Sequence, residues 1–263
     1  MGEVITIASG KGGVGKTTLT ANLGIALSEL GFKVLLIDAD IAMSNLSLLI
    51  GLENPPLTLH DVLLGAASSH DVIYEGPKNV SVIPSGLSIS NYQRVDVERL
   101  ISVVKNLINE FDYILIDAPA GIDKNVVSAL SASTQVLLIT EPTSPSVADV
   151  FKVKIVCERL NQRVMGVVVN KVSNTKGEIS EKEIMKMLEL PSYGEILYSK
   201  DIRESFLLKK IKPILVHNPS SPSANYFRYI ARRISGREVE IKKEGEKKGF
   251  FAFLKRLFSK KKE

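Results

Sequence analysis

The stretch Gly10-Lys-Gly-Gly-Val-Gly15-Lys16-Thr17 sets glycines ahead of a lysine and a threonine, a spacing suited to capturing a polyphosphate. Glycines carry no Cβ, so successive backbone N–H groups can turn inward around phosphate oxygens. A helix beginning here would add its N-terminal dipole. In this G-x-x-x-x-G-K-[ST] pattern Lys16 supplies charge to the β- and γ-phosphates, and the Thr17 hydroxyl is suited to coordinate Mg2+. The same glycines also satisfy a dinucleotide fingerprint, Gly10-x-Gly12-x-x-Gly15, with Asp38 where a ribose-binding acid would sit. Lys16-Thr17 decides between the two ligands, because a dinucleotide loop has no use for a lysine followed by a metal-binding hydroxyl. Asp117 ends the apolar run ILIDAPAG, where a carboxylate would hold magnesium through water. Alone it could merely cap the next helix. Together with the glycine loop it indicates a Mg-dependent nucleoside triphosphatase.

These residues need elements to position them. Apolar runs of strand length recur at 3–9, 33–38, 80–85, 113–119, 135–142, 165–171 and 194–199. Most are continuous rather than alternating, as expected of strands covered on both faces. Between them lie amphipathic segments at 17–30, 96–109, 144–160 and 180–188. This alternation predicts an α/β fold: one P-loop domain over 1–235, with a mostly parallel sheet covered by helices on both faces. Asp38 and Asp40 flank Ala39 at the end of the second strand, the usual place for functional carboxylates in an open sheet. Alternation along an extended chain points both to the same side. The single cysteine, Cys157, lies in an apolar helical stretch and excludes a disulfide framework or a cysteine-rich metal site. His60, His70 and His217 show no metal-ligand spacing.

With the extra lysine in KGGVGKTT, the sequence resembles the deviant Walker A ATPases of the MinD/ParA family. The resemblance continues through 35–51 (LLIDADIAMSNLSLLIG), 112–123 (DYILIDAPAGID), 140–150 (TEPTSPSVADV) and 167–171 (VVVNK). It implies ATP and ADP as the nucleotides and Mg2+ as the metal, bound by Gly10, Lys11, Gly12, Gly13, Val14, Gly15, Lys16, Thr17, Thr18, Asp117 and Asn170. Thr17, Asp38 and Asp117 would serve the metal. The catalytic set would be Lys11, Lys16 and Asp40. By resemblance Lys11 reaches across a nucleotide-sandwich dimer to the partner's phosphates, Asp40 orients the attacking water, and Asp38 supports the magnesium shell. Asn45 matches a position near the dimer interface, Asp117 to Gly121 a γ-phosphate sensor, and Asn170 a residue that hydrogen-bonds adenine. The second wall of the adenine pocket departs from the family: Ile196-Leu197-Tyr198-Ser199 stands in place of Ile-Pro-x-Asp, and Ile211-Lys212-Pro213 in place of Gly-x-Pro. The choice of ATP over GTP is thus less firmly written than phosphate binding.

The net charge of +5 is not spread over the chain. Residues 1–236 hold 24 basic and 24 acidic side chains, and residues 237–263 hold 10 and 5. A charged linker at 236–248 leads into an amphipathic segment at 249–263. On a helix, Phe250, Phe251, Phe253, Leu254, Leu257 and Phe258 would share an arc of about 160°, with Lys255, Arg256 and Ser259 opposite. A helix this short needs a surface to fold upon. Its apolar face and basic flanks suit anionic lipid, and the segment resembles the membrane-targeting end of the MinD branch. The expectation is an ATP-driven switch that dimerises and attaches through Phe250, Phe251, Leu254, Leu257 and Phe258. Activating or inhibitory protein partners are expected as well. The chain would then be cytoplasmic and peripheral on the inner face of the cell membrane, serving division-site or other cellular positioning. A DNA-partitioning ATPase would need surplus positive charge on the body, and only 228–233 (RYIARR) offers any. Nucleic acid is therefore not an expected partner. A redox iron protein would need paired cluster cysteines, and a nucleotide-binding scaffold would lack turnover.

Overall fold

A computed structural model describes residues 2–41, 44–52, 54–86, 99–207 and 211–237. The expected membrane-targeting segment, with its Phe250, Phe251, Leu254, Leu257 and Phe258, lies outside these residues, as does most of the linker.

In chain order the elements are β1 (Glu3–Ser9), α1 (Lys16–Glu29), β2 (Val34–Asp38), α2 (Leu46–Ile50), α3 (Leu59–Leu64), β3 (Tyr74–Glu75), β4 (Ser81–Ile83), α4 (Leu100–Leu107) and β5 (Tyr113–Ala120). There follow α5 (Lys124–Ser131), β6 (Gln135–Thr140), α6 (Ser144–Arg159), β7 (Arg163–Val172), α7 (Glu181–Leu188), β8 (Ser192–Leu197), α8 (Lys200–Ser205), α9 (Ile214–His217) and α10 (Ala224–Ile234). The strands form one eight-stranded sheet in the order β3-β4-β2-β5-β1-β6-β7-β8. Only β3 runs antiparallel to its neighbour. Each apolar run expected as a strand is one. The additional β3 spans two residues, too few to carry a pattern. Helix α5 was not expected from periodicity; Asp123 caps it, accepting from the amides of Asn125 (3.0 Å) and Val126 (3.1 Å).

The continuous apolar runs arise because both faces of the sheet are buried. Val4, Leu35, Ile114, Val136 and Val167 join a core shared with α3 to α7. Their chain neighbours Ile5, Leu36, Leu115, Leu137 and Val168 join a second core with α1, α2, α9 and α10. Each of these five strands thus feeds both cores by its period of two. From β1 the chain crosses to β2 on one side, whereas β5 leads to β6 on the other, so the winding direction reverses at β1. A crevice opens beyond the carboxyl ends of the strands at such a reversal. The glycine loop, Asp38, Asp117 and Asn170 all stand at that edge.

Candidate functional site

The loop between β1 and α1 is shaped by its glycines. Gly13 (φ +80°) and Gly15 (φ +103°) occupy the left-handed region that other residues enter at a cost. A Cβ on Gly10 would strike the Asp149 backbone, and one on Gly15 would strike Asn170 Nδ2. Gly12 and Gly13 differ: a Cβ there would meet nothing within 4 Å, so the loop faces open space on this side. Helix α1 starts with no side-chain cap and no acidic residue in its first turn. Leu19 N–H is the first to reach a carbonyl below it, Gly15 O at 2.9 Å, so the preceding amides are left for a ligand.

Lys16 is only 8% exposed. Its Nζ donates to Ser9 Oγ (3.1 Å), and Ser9 Oγ donates to Lys11 O (2.8 Å). Burial pushes the Lys16 ammonium below the ordinary lysine range, while the Asp117 and Asp40 carboxylates pull it back up. A buried ammonium beside open glycines fits an anionic ligand.

The carboxylates come from two neighbouring strands. Asp38 and Asp117 are in register on β2 and β5, and both are buried. Asp38 accepts from Asp40 N (3.1 Å), Ser44 Oγ (2.8 Å) and Leu46 N (3.2 Å), so it also folds the segment leading into α2 back over the strand end. Asp117 accepts from Thr20 Oγ1 (3.3 Å) and from the Thr17 hydroxyl. Burial raises the Asp117 carboxyl to about 6, opposed by Thr17, Lys16 and Thr20. Burial, then the Asp117 charge, raises Asp38 well above the usual carboxylate range. Two buried carboxylates that disfavour each other's ionisation, beside a threonine hydroxyl, fit a dication. Among the described residues no cluster of three or more His, Cys, Asp or Glu forms an all-protein metal cage. Mg2+ typically completes its shell with phosphate and water.

Asp40 lines the cavity and Asp38 does not. Asp38, fully buried just behind the cavity wall, and Asp40 both lie within electrostatic reach of Asp117.

The cavity measures about 850 Å3 and runs from the glycine loop to a second, apolar end at Ile196, Tyr198, Phe206 and Ile211. Ser199, at the departure from the family pattern, caps α8 by accepting from Ile202 N (3.4 Å). Tyr198 is 54% exposed, and its hydroxyl accepts from Arg203 Nη1 (3.3 Å). Asn45 lines the same cavity. Asn170 Nδ2 donates to Val14 O at 2.7 Å. Sequence reasoning missed Ser9, Thr20, Ser44, Glu141 and Lys171. Most have no spacing signal, being brought in by tertiary packing; Lys171 could have been flagged as the neighbour of Asn170.

Comparison with known proteins agrees with this geometry. Residues 5–211 match the CobQ/CobB/MinD/ParA nucleotide binding domain. An uncharacterised ATP-binding protein of Methanocaldococcus jannaschii is 39% identical over 259 residues, covering 98% of this chain and 97% of that protein. The cell division ATPase MinD of Pyrococcus furiosus is 38% identical with a TM-score of 0.85, covering 90% of this chain and 100% of its own. The septum site-determining protein MinD of Pyrococcus horikoshii, complexed with Mg-ADP, is 35% identical with a TM-score of 0.84, covering 89% and 96%.

Proposed function

The chain belongs to the CobQ/CobB/MinD/ParA nucleotide-binding family, and from that membership we propose that it is a Mg-dependent ATPase acting as a switch in division-site placement. The observation that carries the hydrolase reading is the convergence of Lys16, Thr17 and Asp40 on one cavity whose glycine floor is open. The Mg-ADP held by the Pyrococcus horikoshii protein supports the choice of ligand. Phosphoryl transfer asks mainly for positioning and charge stabilisation. Here the loop amides and the first turn of α1 bind phosphate oxygens, and Lys16 balances their charge. Thr17 and Asp117 would hold magnesium, the threonine directly and the carboxylate through water, with Asp38 supporting Asp117. Magnesium, when bound, supplies Lewis-acid stabilisation of the phosphates. Asp40 orients the attacking water from the cavity wall. Lys11, exposed on the loop, reaches the phosphates of a second copy in an ATP-dependent dimer.

The remaining steps rest on the sequence. Residues 1–235 form the ATPase domain, 236–248 a linker, and 249–263 a membrane-targeting helix. No described helix is long and apolar enough to cross a membrane. One amphipathic helix holds lipid weakly, and two on a dimer hold it by avidity. ATP therefore favours attachment to the inner membrane face, and hydrolysis returns the chain to the cytoplasm, with protein partners setting the pace. Membrane lipid is preferred to DNA because two of the three arginines in the basic run on α10 are engaged in the fold. Arg228 pairs with Glu29 (2.7 Å), and Arg233 lies over Tyr193 and Tyr229.

Co-sedimentation with anionic vesicles tests the switch. The wild type is expected to pellet with Mg-ATP and to stay in solution with Mg-ADP, and Lys16→Ala to stay in solution with both. Attachment independent of nucleotide would sink the switch, and no attachment in any state would sink the membrane reading. A gel shift that survives truncation after residue 236 would favour the DNA-partitioning alternative.

A further inference from the structure

Consecutive side chains on a regular strand point to opposite faces, so Asn170 and Lys171 should not reach the same loop. The pairing of β7 with β8 breaks at this point. Asn170 pairs with Ile196 and Val172 with Leu197, leaving Lys171 as the extra residue between them. Lys171 also stands at φ +59°, in the left-handed region. A bulge of this kind re-aims the side chain that it carries. Its consequence is that both neighbours grip the glycine loop: Asn170 Nδ2 donates to Val14 O (2.7 Å) and Lys171 Nζ to Gly13 O (2.7 Å). Lys171 Nζ also donates to Glu141 Oε1 (2.6 Å), just beyond β6, which anchors the ammonium at a second point.

The two gripped carbonyls belong to consecutive peptides. In a trans peptide the C=O and N–H point in opposite directions, and no peptide bond among the described residues is cis. Holding Gly13 O against Lys171 turns Val14 N–H the opposite way, and holding Val14 O against Asn170 does the same for Gly15 N–H. We infer that the β7 bulge makes Asn170 and Lys171 a two-point clamp fixing the Val14 and Gly15 amides as donors to the phosphate chain of a bound nucleotide. Both are positioning residues. The clamp gives Asn170 a loop-holding role through Nδ2. Gly15 is consistent with it, since the Asn170 amide occupies the space a Cβ there would need.

This inference rests on the nucleotide reading above, and titration calorimetry of the full chain with Mg-ADP and Mg-GDP separates the two. Lys171→Ala is expected to weaken both nucleotides about tenfold. Lys171→Arg, which keeps a charged donor, regains most of that loss, a rescue that a merely structural role would not require. Asn170→Ala weakens Mg-GDP as well as Mg-ADP, since the loop carbonyl that it holds serves either nucleotide. Lys171→Ala binding Mg-ADP as tightly as the wild type, or no rescue by Lys171→Arg, overturns the clamp. An Asn170→Ala variant that weakens Mg-ADP alone overturns the part assigned to that residue. A wild type that binds neither nucleotide overturns the nucleotide reading itself, a result distinct from the others. Lys171 is exposed, so its variants carry the test even if Asn170→Ala does not fold.

Discussion

The two ends of the nucleotide cavity are built by different means. At the phosphate end nearly every polar group has a partner of stated length: Lys16 on Ser9, Thr20 on Asp117, Asn170 on Val14, Lys171 on Gly13. At the other end Tyr198, Phe206 and Ile211 present apolar side chains, two of them substantially exposed, and one hydrogen bond joins Tyr198 to Arg203. A preorganised polar site gains affinity because its groups need no rearrangement on binding, whereas an exposed apolar wall offers area without direction. The difference teaches that affinity and chemistry reside at the phosphate end, and that the base end discriminates softly.

The strongest way to break this contrast is Lys16→Ala, which removes the buried cation. Mg-ADP affinity, measured by calorimetry, should fall about a thousandfold. Asp40→Asn sharpens the contrast within the phosphate end, separating chemistry from binding. Phosphate release from Mg-ATP should drop about a hundredfold while nucleotide affinity stays within about threefold of the wild type.

Asp117→Asn tests the electrostatic tension. The folded chain holds this carboxyl at about 6, above its ordinary value. The group therefore favours folding at low pH, and that contribution is lost as pH rises through about 6. In urea unfolding without nucleotide, Asp117→Asn should match the wild type near pH 4 and gain on it as pH rises. The advantage should level off above pH 6 at on the order of 3 kcal/mol. Added Mg-ADP should stabilise the wild type and leave the variant nearly unmoved. The smallest effect is expected at the base end: Tyr198→Ala should weaken Mg-ADP and Mg-GDP about threefold each. A hundredfold loss confined to one nucleotide would erase the contrast.

The same division governs what the sequence made legible. The glycine loop, Lys16, Thr17 and Asp117 could be read because local spacing alone sets their chemistry. The strands could be read because burial on both faces leaves continuous apolar runs. The partners of those residues could not, since Ser44 lies six residues beyond Asp38 and Thr20 reaches Asp117 on β5 from helix α1. The Lys171 bulge is likewise invisible, since it shows only in the pairing with β8.

Single-turnover release of inorganic phosphate from Mg-ATP tests the central claim most directly. The wild type should release phosphate in a reaction abolished by EDTA and by Lys16→Ala. Tight binding of Mg-ATP without phosphate release, in the presence of anionic vesicles as in their absence, would contradict it and leave a nucleotide-binding scaffold.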